Sequence, residues 1–353
     1  MALPVEPPLE PMLARSADEI PLGPGWRYEP KWDGFRALVF REGERLALVS
    51  RKGQPLERYF PELRAPLLAA LPARAVVDGE IVVPGERGLD FDALLQRIHP
   101  AASRITRLAR ETPASFVAFD LLAKGDEDLR SRPFRERRER LARSVEAGGQ
   151  VLLTPQTDDG ALALRWFDRF QGAGIEGVVA KREELPYVSG ERVLIKVKHE
   201  RTADCVVGGY RLSEKGGGVA SLLLGLYDDQ GRLRHVGHVS AFSAGLRRKL
   251  RDELRHLEGG EGFAEGLGPS GPSRWARGRD TSWIPVRPEL VAEVRFDQLQ
   301  GGRFRHAAQL VRFRADKPAR QCSFDQVLPP RPFTLGELAG LAERAVPVES
   351  HPE

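Results

Sequence analysis

The residue pattern of this chain changes character once, near residue 202, and that change limits the fold more than any single residue does. Before it, short runs rich in Val, Leu and Phe alternate with stretches of helical period; after it, nearly every run reads as a strand. The early strand-like runs are FRALVF (35–40), RLALVS (45–50), AVVDGEIVV (75–83) and SFVAFDLL (115–122), separated by turn residues. Helical patterns fall at 89–98, 133–145 and 161–174, the last closing on Gly174. Past the basic run VLIKVKHERTAD come CVVGGYRL, a glycine-rich turn, ASLLLGLY and RHVGHVS. A helix over about 243–257 then precedes the strands LVAEVRF (290–296) and AAQLVRFR (307–314), a series resembling a small barrel. Two domains are expected, a mixed sheet-and-helix domain over 1–202 and a β-barrel over 203–353. Residues 1–25, proline-rich and without period, suit an extended arm packed over the first domain. The glycine-rich stretch 259–278 reads as a mobile insertion whose composition cannot support its own core.

Composition excludes several classes. With 353 residues, 41% of them hydrophobic, the chain can bury two ordinary cores. Its 54 basic and 50 acidic residues leave a formal charge of only +4, which permits a polyanionic partner without demanding one. The two cysteines, Cys205 and Cys322, lie too far apart for a disulfide framework or a local zinc finger. No run approaches the roughly 20 apolar residues of a membrane span, and the N-terminus lacks the plan of a signal peptide. A soluble cytoplasmic protein is expected.

The most informative peptide is YEPKWDGFRAL, which packs Lys31, Asp33, Gly34 and Arg36 into six positions. Alone, such a peptide could be a charged surface turn. It is followed, in order, by SRKG (50–53), VVDGEIVV (76–83), FVAFDLL (116–122), EGVVAKR (176–182), VLIKVKHERTAD (193–204) and VRFRADK (311–317). Asp78 and Glu80 are two apart in a strand-like run, as are Lys196 and Lys198, so each pair shares a face that can line a cleft. The ordered set resembles the motifs of the covalent nucleotidyltransferases, which include ATP-dependent DNA ligases, RNA ligases and mRNA capping enzymes. The resemblance covers nearly the whole chain, and the flanking peptides are similar to the short bacterial LigC-type ligases and to the ligase module of LigD-type repair enzymes.

The resemblance implies an α+β chain in which an ATP-grasp-like nucleotidyltransferase domain precedes an OB-fold domain. It makes Lys31 the nucleophile that attacks the α-phosphorus of ATP, expels pyrophosphate and holds AMP. An ordinary lysine amine has a pKa of about 10.4, so such a site must favour the neutral form. Lys196, Lys198 and a divalent metal, Mg2+ or Mn2+, would do so while neutralising the phosphates. By the same resemblance Glu80 contacts the ribose, Phe119 stacks on adenine, Arg36 and Arg51 meet the nucleotide or the DNA 5′-phosphate, and Glu29 and Lys181 complete the pocket. Glu176, Asp33 and Glu80 are the expected metal ligands. Glu176 and Lys181 are five apart and would face opposite ways in a regular strand, so either a bulge or a strand that starts just after Glu176 is required. Arg314 and Lys317, with Asp316 and more loosely Arg312, come from the far end of the chain, which implies that the barrel swings toward the nucleotide.

The expected partner is nicked double-stranded DNA, met by a monomer in the cytoplasm at the bacterial nucleoid. Without the helical DNA-binding domain, polymerase or nuclease modules of larger enzymes, unaided affinity for nicks is expected to be weak, and a Ku-like end-binding protein would recruit the chain in repair. RNA joining or capping shares the lysine motif, and a non-catalytic OB-fold binding protein with a degenerate first domain is the alternative of another class. The NAD-dependent ligases carry a cysteine zinc site that this chain cannot build. The run RSRPFRERRERLAR (130–143) reads as an exposed helix face. Trp32, Trp166, Trp275 and Trp283 read as packing residues, although Trp275, between Arg274 and Arg277, could touch nucleic acid.

Overall fold

The computed structural model describes residues 3–86, 88–99, 101–169, 174–213, 218–269, 282–328 and 333–339. The chain divides into two compact units, Met1–His199 with Pro329–Glu353, and Glu200–Leu328. The break falls just before the expected boundary at 202. The expected extent of the barrel, 203–353, is corrected at its far end, because Phe333 is buried among Trp32, Val82, Val117, Trp166 and Ile175 of the first unit. Apolarity alone says that such a side chain is buried, not in which core.

The main strands of the first unit are β1 (Leu13–Ser16), β2 (Trp26–Trp32), β3 (Phe35–Glu42), β4 (Arg45–Ser50), β5 (Arg74–Val82), β6 (Ser115–Lys124), β7 (Val151–Leu153), β8 (Ile175–Arg182) and β9 (Arg192–Lys198). Between them lie α1 (Arg64–Ala70), α2 (Phe91–Gln96), α3 (Ala102–Glu111), α4 (Phe134–Ser144) and α5 (Gly160–Arg169). One sheet has the order β1-β9-β8-β2 and the other β7-β6-β5-β3-β4. Pattern alone does not reveal β2, since Pro30 interrupts its run; the proline is tolerated because β2 is an outer strand.

Alternation gives each sheet two different faces. Tyr28, Val178, Ala180, Ile195 and Val197 pack on the back of the first sheet with Ala163 of α5. The register then turns Glu29, Lys31, Lys181, Lys196 and Lys198 to the front, with Val179 opposite both Glu29 and Lys196. In the second sheet, Ala37, Val39, Val77 and Ile81 pack against Leu67 of α1, Leu94 of α2 and Leu141 of α4. Its other face buries Leu38, Phe40 and Val76 under Leu3, Val5, Leu9 and Met12 of the N-terminal arm. Along that face apolar residues give way to charged ones: Phe40, Leu38 and Arg36 on β3, Val76, Asp78 and Glu80 on β5, with Arg36 directly opposite Glu80. A cleft begins at that transition.

The second unit holds β10 (Arg201–Leu212), β11 (Val219–Tyr227), β12 (Leu233–Val239), α6 (Ala244–Arg255), β13 (Val291–Phe296) and β14 (Gln309–Phe313). The strand order is β12-β11-β10-β13-β14. The Ala308 amide donates to the His238 carbonyl at 2.9 Å, joining first strand to last and closing a small barrel. Val206, Leu222, Leu224, Val236, Val291 and Val294 fill it. Ser243 caps α6 by accepting from the Leu246 amide. The expectation of a mobile insertion is corrected for residues 259–269: Phe263 is buried in the barrel core, and the Ala264 amide donates to the Leu233 carbonyl. The stretch has no core of its own but borrows the barrel's. Trp275 lies outside the described residues. Among the described residues no helix is long and apolar enough to cross a membrane.

Candidate active site

The cleft between the two sheets of the first unit encloses about 850 Å³ of empty space, its open mouth included. One wall is the polar front of the first sheet, from which Glu29, Lys31, Lys181 and Lys196 project. Arg36, Arg51, Glu80 and Phe119 form the other. Eight of the residues picked out by motif therefore share one cavity.

Lys31 is held by an ion pair with Glu176, whose second oxygen accepts from Lys198 at 3.0 Å. Of the two arrangements that the spacing allows, the bulge is the one present, because Glu176 lies within β8. Pairing of β8 with β2 slips between Ile175 and Val178, so that Glu176 reaches the front face along with Lys181. Gly177 makes the slip with φ of +147°, and a Cβ there would run into the Val197 carbonyl oxygen. Burial pushes the Glu176 carboxyl up, but the Lys31 and Lys198 ammoniums outweigh it and hold the group below the usual carboxylate range. Lys196 is shifted down, by burial first and then by repulsion from Lys198 and Lys31. Beside the expected cations a carboxylate stands at the Lys31 amine, as it must if several ammoniums are to crowd one wall without ligand.

At the other end of the same face Lys181 and Glu29 form a buried ion pair of 2.7 Å, with both side chains 4% exposed. Glu29 also accepts from Gln156 Nε2 at 3.0 Å. Lys181 Nζ lies 4.8 Å from the centre of the Phe119 ring, and the Arg36 guanidinium 4.7 Å from it. Phe119 reaches the cleft because it is the extra residue where β6 slips against β5: Asp78 pairs with Asp120, and Gly79 with Ala118.

Arg36 is fixed by two bonds to Asp78, of 2.7 and 2.6 Å, and by a third to the Met12 carbonyl at 3.0 Å. Tyr187 donates to the same Asp78 at 2.6 Å, and burial followed by the charge of Asp78 raises its phenol well above the ordinary value. Glu80, opposite Arg36, is pushed up to about 7 by burial, against the attraction of Lys31 and Arg36 and with the help of Asp33 and Asp78.

The expected metal ligands are Asp33, Glu80 and Glu176. Among the described residues no three His, Cys, Asp or Glu side chains form a metal-binding group. The two ammoniums engage Glu176, whereas Glu80 faces Arg36. A magnesium-type ion that keeps its waters and takes phosphate oxygens needs only one or two carboxylates. Glu80 fits that demand, since a partly buried acid pushed up to about 7 is a place where a cation would restore the ionised form. Arg314 and Lys317 belong to the second unit, where Asp204 pairs with both, at 3.2 and 3.7 Å, and Asp316 binds Arg314 at 2.8 Å. Hydrogen bonding to Asp316 raises Arg314 and lowers Asp316 to about 2. Arg312 is occupied by Glu293. Motif reasoning missed Arg192, which lines the cleft from β9, and Gln156. The four-residue spacing from Arg192 to Lys196 on one strand face was the available signal for the first; Gln156 carried none.

A nucleotide-sized cleft with an amine and paired cations on one wall, in a mixed two-sheet unit followed by a closed five-stranded barrel, defines a nucleotidyltransferase with an OB-fold domain. The family model of the ATP dependent DNA ligase domain matches residues 11–198, and that of the ATP dependent DNA ligase C terminal region matches 215–317. DNA ligase C2 of Mycolicibacterium smegmatis is 51% identical over 344 residues, 93% of this chain and 96% of that one. DNA ligase C of Mycobacterium tuberculosis is 48% identical over 355 residues, covering 96% and 99%. The multifunctional non-homologous end joining protein LigD of Mycobacterium bovis is 33% identical over 297 residues, 82% of this chain but 36% of LigD. Among solved structures a Lig E DNA ligase shares the fold, with a TM-score of 0.51 at 18% identity over 86% of this chain and 99% of that one. The chain belongs to the ATP-dependent DNA ligase family.

Proposed function

We propose that the protein seals nicks in duplex DNA through a covalent AMP on Lys31. The observation that carries this reading is one sheet face that sets Lys31 against Glu176 and Lys198 and turns the buried Glu29–Lys181 pair and Lys196 toward the same cleft. Adenine enters beside Phe119, with its exocyclic amine toward Glu29, and the ribose toward Glu80. Lys196, Lys198 and Arg192 take the phosphates, and Arg36 and Arg51 take the ribose side or the DNA 5′-phosphate. The Lys31 nitrogen forms a bond to the α-phosphorus as the bond to pyrophosphate breaks, and the amine proton leaves toward Glu176 or water. The AMP then passes to a DNA 5′-phosphate, and attack by the 3′-hydroxyl expels it. When bound, a divalent cation (Mg2+ or Mn2+) supplies neutralising charge to the phosphate oxygens, and Glu80, Glu176 and Asp33 are the side chains that would hold it. Arg314 and Lys317 act on the pyrophosphate when the barrel is brought to the cleft.

The deciding experiment is incubation with α-labelled ATP and metal, comparing wild type with Lys31→Ala, followed by a chase with nicked duplex. Label absent from the variant and discharged from wild type by nicked DNA is the expected result. Discharge by nicked RNA but not DNA would move the assignment to RNA joining, and no label on AMP-stripped wild type would sink it. A repair role at the nucleoid, aided by a Ku-like end-binding protein, is the reading we attach to the likeness to LigD. It requires that such a protein bind the chain in pull-down or stimulate end ligation, and failure of both removes it.

A further inference from the structure

Gln156 lies on the segment that follows β7, with no catalytic motif around it, yet that segment is fastened on every side. The Thr154 amide donates to the Ala118 carbonyl at 2.9 Å, and the Thr154 hydroxyl accepts from Trp32 Nε1 at 2.9 Å. Its carbonyl accepts from Arg138 at 2.7 Å. Tyr28 and Thr157 exchange backbone bonds of 2.8 and 3.1 Å, which places Gln156 beside the residue after Tyr28, Glu29. The side-chain amide then donates to one Glu29 oxygen at 3.0 Å while Lys181 donates to the other at 2.7 Å. An ionised carboxylate only accepts, so the amide nitrogen must be the group facing it. One donor leaves a carboxylate free to turn about its last bond; two donors on two oxygens fix its plane.

We propose that Gln156 is a positioning residue for base selection: with Lys181 it locks Glu29 as an acceptor-only group aimed at the exocyclic amine of the purine. A 6-oxo purine would set acceptor against acceptor at that point, with no hydrogen between the two oxygens. This rests on the reading above that the cleft takes ATP onto Lys31.

The test is self-adenylation of AMP-stripped wild type and Gln156→Met, which keeps size and loses the amide, with ATP and with inosine triphosphate, which differs at the 6-position. Thermal melting is the control. The variant should raise KM for ATP about tenfold with kcat within about twofold. Its preference for ATP over inosine triphosphate should narrow by a similar factor, and its melting temperature should stay near that of wild type. An unchanged preference, whether or not KM moves, overturns the proposal, as does a lowered melting temperature with the use of ATP and of inosine triphosphate falling in parallel, the mark of a purely structural role. If wild type takes no label, the adenylation reading itself has failed; if wild type labels and the preference is unmoved, only the role of Gln156 is lost.

Discussion

Glu80 holds a proton that an ordinary carboxyl would have released, because burial raises it to about 7 from an unfolded value of 4.5. Between those values the folded state binds more protons than the unfolded chain, so stability falls as pH rises from about 4.5 to about 7 and the penalty is constant above that. In metal-free, chelated buffer Glu80→Gln should be more stable than wild type at pH 8 by on the order of 2 kcal/mol, with the gain vanishing near pH 4.5. Denaturant titration at both pH values checks this, and an equal gain at both would exclude burial of the charge as its source. Glu176 has the opposite sign: its lowered folded value makes a contribution that is present above the unfolded value and lost as pH falls through the folded one. At this scale the sequence exposes what local spacing can carry. Glu80 and Lys196 are legible because a two-residue period in a strand fixes their face, whereas Lys31 and Lys181 are legible only through the motifs that carry the family resemblance. Gln156 is not, because its partner Glu29 is 127 positions away.

Individual elements are held by a few side chains whose loss should be felt well beyond them. Phe134, Arg137 and Leu141 form the buried stripe of α4, and the fully buried Arg137 meets Asp120 of β6 at 2.8 and 2.9 Å. The charge pattern of 130–143 reads as an exposed face, and for Arg140 paired with Glu136 it is one. Charge alone conceals that Arg137 occupies the apolar stripe, although its i+3 spacing from Phe134 places it there. Arg137→Met should cost about 3–5 kcal/mol in urea unfolding by leaving Asp120 uncompensated. Replacing Asp120 with Leu in the same chain should recover much of that loss. The bulge in β8 makes a sharper demand. Gly177→Ala should reduce adenylation at least tenfold while Gly43→Ala, at a φ of +61° in an open hairpin turn, leaves the rate near wild type; equal effects would deny the bulge its role in aiming Glu176.

For the whole molecule, the division into a mixed unit and a barrel is readable from the change in pattern, because strand and helix periods are local properties. Which residues return to which core is not, since Phe333 is separated in sequence from every partner it packs against. Arg314 and Lys317 share Asp204 inside the second unit, so any role on pyrophosphate requires an exchange of partners. Arg314→Ala should therefore slow self-adenylation by at least tenfold and spare sealing of a pre-adenylated nick; equal losses in both assays would place Arg314 in DNA binding or folding instead. Phe333→Ala should destabilise the first unit by about 3–5 kcal/mol, with Trp32 and Trp166 fluorescence as the reporter. A polypeptide leaves the ribosome in one direction, and 200–328 must emerge before Phe333 can reach Trp32 and Trp166. The nucleotide-binding half thus waits, unfinished, through the synthesis of the barrel. The nascent enzyme completes its first core only after the second is already outside the exit tunnel.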